Sequence, residues 1–413
     1  MSEEVCIGKR EVGTGLNVKR PVSRGVKAIG IVLMIMVPLG ILELASYQYL
    51  RIFEGYDGIH LMNYEFDDYK NVRPTPRYID TRGVYHNSQG FREVQDTPLK
   101  KDPGTYRIFI MGGSTGYGVG GLSRAGKAKY PVISNEHTID TYLERYLKGK
   151  SGLSNVEVIN AAITSHQSHH HLIYLNQTIL KYHPDMVIFI DGFNDYYKYE
   201  KGFDQFRDYA YQERVHQYMS EPTVAAWMGY TGWWLFRSSH LVHLAGKTFL
   251  PVWQYVRSIG QPRAKMDVET ALANLQENAK NNFVQMVERN SLILKHEGIA
   301  AVFTLQPELI FRQSKRFTPF EQDLLNEMNA HWQEGLAEFK DKARPLVIEF
   351  LRQAISKNGA HFIDLTDPFG GMSEDAYTDY CHLTPEGNKR LAEYLGERIL
   401  PIVERHSLSK PVQ

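Results

Sequence analysis

Residues Tyr106 to Gly116 read YRIFIMGGSTG, a short apolar run that breaks into glycines around a single serine. A strand buried on both faces of a parallel sheet shows such a continuous apolar run, because neither face meets water. The glycines that follow satisfy G-x-S-x-G, a pattern that turns a strand into a helix and presents the serine hydroxyl at the turn. A glycine-rich turn after a first strand can also cradle phosphate. Neither the dinucleotide spacing nor the Lys-Ser/Thr pair of a P-loop is present here.

Similar runs recur downstream: VEVINA ending at Ala161, PDMVIFIDG at Gly192, GIAAVFTLQ at Gln306 and HFIDLTD at Asp367. Helical patterns separate them, over HTIDTYLERYLK, Val268 to Lys295, Pro319 to Phe339 and Pro385 to Arg405. Thr384 before Pro385 predicts a capped helix start. Strands alternating with helices predict a three-layer α/β/α domain on a five-stranded parallel sheet, spanning residues 105–413.

Ligands and catalytic groups gather beyond the carboxyl ends of parallel strands. The first strand ends at Ser114 and the second in Asn160-Ala161-Ala162-Ile163-Thr164-Ser165. The third ends in Gly192-Phe193-Asn194-Asp195, and Asp379-Tyr380-Cys381-His382 follows the fifth. One rim therefore collects a serine, a carboxamide, an acid and a histidine.

These blocks, in this order, resemble those of the SGNH or GDSL-like serine esterase family, over roughly Tyr106 to Arg405. HNSQGFRE, from His86 to Glu93, is similar to the segment that precedes the nucleophile in the membrane-anchored bacterial type. The resemblance implies a flavodoxin-like sheet, with Ser114 as nucleophile, His382 as base and Asp379 as the carboxylate that orients it. It implies an oxyanion hole built from Ser114, Ser165, Asn194 and Gly192. Serine stands at 165 where the family usually has glycine, which puts the shape of the hole in question. The α/β-hydrolase fold shares the elbow, but there the acid and histidine sit on separate loops. The expected activity is hydrolysis of an acyl (acetyl) ester of a carbohydrate or lipid through an acyl-serine intermediate. Transfer of the same acyl group to a sugar hydroxyl, and a non-catalytic glycan-binding role, are the alternatives.

Ahead of this domain, Ala28 to Leu50 is apolar apart from Glu43, and long enough to cross a bilayer. Lys9, Arg10, Lys19, Arg20, Arg24 and Lys27 precede it, so the positive-inside rule puts residues 1–27 in the cytoplasm and the catalytic domain in the periplasm or outside. A cleaved signal is the other reading of the segment. Residues 51–104 are polar and read as a stalk that becomes an edge of the domain.

The insertion over residues 196–266 carries Trp227, Trp233, Trp234, Phe236, Phe249 and Trp253. It reads as a lid packed on its own aromatics, or as a face for sugar rings or the bilayer surface. His166 and Gln306 are candidate substrate contacts at the rim. The spacing of His166 and His170 also fits two metal ligands on one helix face, but a hydrogen-bonded histidine turn is the expected role. No metal or other cofactor is implied. Basic and acidic residues balance at 47 each, which argues against a nucleic-acid partner. The 2 cysteines, Cys6 and Cys381, would lie on opposite sides of the membrane and form no disulfide.

Overall fold

A computed structural model of the chain describes residues 24–54, 62–67, 69–121, 129–150, 155–196, 223–258, 265–279, 283–311, 313–331 and 333–409. Its centre is a parallel sheet of β5 (Tyr106–Gly112), β6 (Val156–Asn160), β7 (Met186–Asp191), β8 (Ala300–Leu305) and β9 (His361–Asp364), in the order β6-β5-β7-β8-β9. All four pairings are parallel. The chain runs from β5 outward to β6 and then returns to the other side of β5 to begin β7. The strand order therefore reverses between β5 and β7, where an open α/β sheet forms its crevice.

Successive strand residues alternate between the two faces. Phe109, Met111, Val187, Phe189, Phe303 and Leu305 join one core, with Phe189 stacked on Phe303 at 4.5 Å. Ile108, Ile110, Ile188, Ile190, Val302 and Ile363 join the other. Fully burying each such side chain stabilises by about 1.5–3 kcal/mol, which is why five short strands hold without polar alternation.

The first face is covered by α4 (Ser168–Gln177), α8 (Val268–Ala279), α9 (Gln285–His296) and α11 (Leu336–Ser356). The second is covered by α3 (Ile139–Lys150), α10 (Pro319–His331) and α12 (Pro385–Ser409). Thr384 caps α12 as expected, its Oγ1 accepting from Gly387 N at 2.9 Å.

Two helical expectations need correction. The pattern over Val268–Lys295 is two helices, and the one expected over Pro319–Phe339 ends at His331. Gly335, at φ +89°, then starts α11, which runs on to Ser356. Pro345 masks that helix in the sequence, although it lies well inside it.

Of residues 51–104, expected as a stalk that becomes an edge of the domain, 51–54 end α1, 55–61 and 68 lie outside the described residues, and the rest packs along the domain. It forms two antiparallel hairpins, β1 (Tyr64–Asp67) with β2 (Asn71–Pro74) and β3 (Ile79–Asp80) with β4 (Val84–Tyr85). Phe91 enters the core against Phe109 and Tyr182. At the N-terminus α1 (Arg24–Glu54) is a single helix, exposed on all described faces from Lys27 to Leu42.

The insertion contains α6 (Val224–Ser238) and α7 (His240–Ser258). In place of the expected lid packed on its own aromatics, α7 packs against α1, and Trp227, Trp234 and Phe249 are exposed. Of the named aromatics whose side chains are described, Phe236 is the half-buried one, against His243 at 4.5 Å. The side chains of Trp233 and Trp253 and the whole of residues 197–222 lie outside the described residues.

Candidate active site

β5 ends in Gly112 and Gly113, and a single helical turn, α2 (Ser114–Tyr117), begins at the serine. A Cβ at Gly113 would come within 2.6 Å of Asn194 Nδ2, so a side chain there would push that amide away. The close approach brings the amide of Asn194, at the end of β7, beside the serine at the end of β5. Ser114 N–H is the first donor of α2, and such first-turn donors have no partner inside their own helix.

His382 reaches the same point from the loop ahead of α12. Its Nε2 lies 2.8 Å from Ser114 Oγ and its Nδ1 2.7 Å from Asp379 Oδ2. The other carboxylate oxygen accepts from the backbone N–H of Cys381 at 3.0 Å and of His382 at 2.9 Å. Both Asp379 and His382 are buried, and Ser114 is half-exposed. With Nδ1–H committed to the carboxylate, Nε2 is left as acceptor for the serine proton. Cys381 is no rival nucleophile. Burial first, and then Asp379, push its thiol well above the usual range.

The two donors expected from other strands are Asn194 and Ser165. Asn194 Nδ2 donates one hydrogen to His166 O at 3.0 Å, and an amide carries a second. Ser165 sits in the turn closed by His166 N–H to Ile163 O at 3.2 Å, is exposed, and holds φ at +65°. Glycine adopts that region without the strain a Cβ brings, so this serine keeps a glycine-like backbone at the position where glycine was expected.

Gly192 was expected at the hole as well, but it is buried and acts on the turn. Its φ is +142°, a Cβ would meet Leu305 Cδ1 at 2.6 Å, and its carbonyl accepts Asp195 N–H at 2.9 Å. The turn it permits aims Asn194.

His166 and Gln306 do not line the cleft as expected. His166 is buried with Nε2 2.9 Å from Val72 O, and burial lowers it to about 3. Gln306 is buried and donates to Thr115 Oγ1 at 2.8 Å, while Thr115 Oγ1 donates to Cys381 O at 3.2 Å. That chain ties the nucleophile turn to the histidine loop. The Nε2 atoms of both have partners inside the protein and His166 Nδ1 is buried without one among the described residues, so strand-end position alone misled.

The histidine cluster is likewise structural. His170 Nδ1 accepts from Gln167 N at 3.1 Å in a capping box, and His166 and His170 stack at 4.8 Å. Among the described residues, the one grouping with metal-ligand proximity is Asp379, Cys381 and His382, part of the serine constellation itself. Asp195 accepts from Ser168 N at 2.9 Å at the start of α4. Burial first, and then Asp191, push its carboxyl up to about 7, so it braces the rim.

Several contributors escaped the sequence reading. Arg92, fully buried, donates from Nη1 to Gly118 O at 2.7 Å and to Tyr117 O at 2.5 Å, gripping the end of the nucleophile turn. His86 Nε2 lies 2.8 Å from Tyr117 Oη. Asn160 Nδ2 donates to Gly116 O at 3.1 Å and to Asp140 Oδ1 at 2.6 Å. Phe193 and Tyr380, both half-exposed, lie 5.0 Å apart, and the Tyr380 ring lies 5.8 Å from that of His382. Their signal was available, since Arg92, Phe193 and Tyr380 all lie inside the quoted motif blocks.

No family model matches the chain, and no curated protein matches it. Among solved structures it is similar to an acetyl xylan esterase, AlAXEase, at 13% identity over 71% of this chain and 99% of that one, TM-score 0.33. A catalytic mutant of an acetylxylan esterase from Geobacillus stearothermophilus is similar at 11% identity over 73% and 96%, TM-score 0.37. A protein described as a GDSL-like lipase, from Parabacteroides merdae, is similar at 13% identity over 73% and 97%, TM-score 0.34.

Proposed function

We propose that this chain is a serine ester hydrolase that removes acyl groups, acetyl foremost, from a carbohydrate or lipid ester at the outer face of the cytoplasmic membrane. The observation that carries the reading is the relay from Asp379 through His382 to Ser114, with contacts of 2.7 and 2.8 Å, at the reversal point of the sheet.

The chemistry follows from the donors and acceptors. Ser114 Oγ attacks the acyl carbonyl as His382 Nε2 takes its proton, and Asp379 stabilises the imidazolium that forms. Negative charge on the carbonyl oxygen meets the N–H groups of Ser114 and Ser165 and the free hydrogen on Asn194 Nδ2. His382 returns its proton to the departing alcohol, which leaves an acyl-serine. Water then enters by the same steps in reverse, with His382 again as base.

The membrane part of the reading rests on α1, whose stretch Lys27–Glu54 is long and apolar enough to cross a membrane, with mean hydropathy 2.4. Its later turns pack on α7, with Ser46 and Leu50 buried in the contact. That packing favours an anchor that is kept over a signal that is cleaved.

The test is hydrolysis of a chromogenic acetyl ester by the full chain in detergent. Ser114→Ala is expected to lower kcat by about 10³-fold or more with unchanged folding. Turnover that persists in Ser114→Ala overturns the assignment.

A further inference from the structure

Glu43 is the one acidic residue in an otherwise apolar span, and a lone carboxylate there is costly unless partnered. Its partners are the start of α7. Glu43 accepts from Ser239 Oγ at 2.7 Å, His240 N at 2.6 Å and Leu241 N at 3.1 Å, and lies 2.8 Å from His240 Nδ1. One turn further along α1, Tyr47 packs edge-on against His240 at 5.0 Å, and Glu54 pairs with Lys247. Arg237, before the turn, approaches Glu65 of β1 at 3.9 Å. The α6–α7 hairpin is therefore clamped both to α1 and to the catalytic domain.

Beyond that clamp α6 carries apolar side chains that no described residue covers. Val224, Trp227, Met228 and Trp234 are between 54% and 78% exposed, values that match the bare part of α1. Residues 224–258 contain Arg237, Lys247 and Arg257 but no aspartate or glutamate. A helix so apolar is not a water-facing one.

We propose that the α6–α7 hairpin lies in the outer-leaflet interface of the bilayer, as a second membrane contact beside α1. The inference rests on the anchored reading of α1. Three observations point to lipid. The hairpin is docked onto the candidate span, so its surroundings are those of the span. Glu43 takes up donors at the start of α7 that hydrocarbon could not satisfy. The hairpin's charges are all basic, which suits anionic headgroups, and its tryptophans suit the interfacial zone. With both α1 and Glu65 held, the hairpin would fix the height and tilt of the cleft above the bilayer.

The test uses the full chain carrying Cys6→Ser, which leaves buried Cys381 as its native thiol, reconstituted into vesicles of equimolar phosphatidylcholine and phosphatidylglycerol, with a bimane label at Met228→Cys. The exposed Met36 of α1 and Leu292 of α9 serve as reference sites, labelled in Met36→Cys and Leu292→Cys. Bromines in the lipid acyl chains should quench labels at 228 and 36 but not at 292, and aqueous iodide should show the reverse. Quenching by lipid at 36 with iodide access at 228 overturns the hairpin proposal and leaves the anchor standing. A label at 228 hidden from both quenchers means a protein covers α6, and also overturns it. Absence of lipid quenching at 36 overturns the anchor, and this proposal with it.

Discussion

The rim over the sheet and the helical foot around α1 satisfy their polar groups in opposite surroundings. At the rim, Asp379 and His382 are buried, and Asp379 oxygens meet three donors that all come from its own loop. At the foot, a carboxylate from one helix gathers donors from another about 200 residues away, while apolar side chains around them stay bare. The serine, histidine and acid of the rim come from the sheet domain alone, whereas at the foot the described residues leave apolar side chains uncovered, the face proposed above to meet the bilayer. Changes at one should leave the other intact.

The largest expected effect belongs to the rim. Asn194→Ala removes the side-chain donor that Gly113 makes room for, and kcat should fall about 10²–10³-fold, or about 2.7–4 kcal/mol of transition-state stabilisation. Steady-state hydrolysis of an acetyl ester measures it, and Glu43 contacts should be unaffected. A small loss would place the oxyanion elsewhere.

Acid should loosen the rim next. Burial holds His86 neutral and lowers it to about 4, whereas an unfolded histidine titrates near its ordinary value of 6.5. Between these values the unfolded chain binds the extra proton, so His86 contributes a loss of stability as pH falls from 6.5 towards 4, on the order of 3 kcal/mol in full. Asp195, raised to about 7, works the other way. The share of His86 is therefore the difference in pH slope between the native chain and His86→Gln. Urea midpoints of the variant should fall less steeply on acidification; parallel slopes would contradict the assignment.

At the foot, Glu43→Ala should cost about 1 kcal/mol of local stability, the scale of a lost helix cap. Hydrogen exchange at His240 and Leu241 should quicken while kcat/KM on a small acetyl ester stays put. Loss of activity in parallel would break the separation of rim and foot.

The smallest effect is expected for Ser165→Gly. Glycine relieves the left-handed strain but adds freedom to the unfolded chain, so stability should change by less than about 1 kcal/mol and kcat/KM should hold. A marked fall in kcat/KM would show that the Ser165 hydroxyl, and not its N–H, acts in the site.

The sheet and the meeting of Ser114, His382 and Asp379 were legible because each is local: apolar runs mark buried strands, and these residues stand beyond the ends of such runs. Gln306 and His166 also stand at strand ends, yet fold back onto Thr115 and Val72. Strand-end position marks proximity to a crevice, and only packing decides which way a side chain turns. Arg92 and Asn160 stand inside motif blocks, but the carbonyls they hold, Gly118 O and Gly116 O, leave no trace in residue type, so their supporting role was not legible. The same holds at the foot, where Glu43 looked like a flaw in an apolar span and only the docked helix explains it.

The most direct measurement of the central claim is reaction of the folded full chain with a fluorophosphonate, followed by peptide mass spectrometry. The account predicts one adduct, on Ser114, that disappears in His382→Ala. A folded chain that stays unmodified, or carries its adduct on another residue, would contradict it.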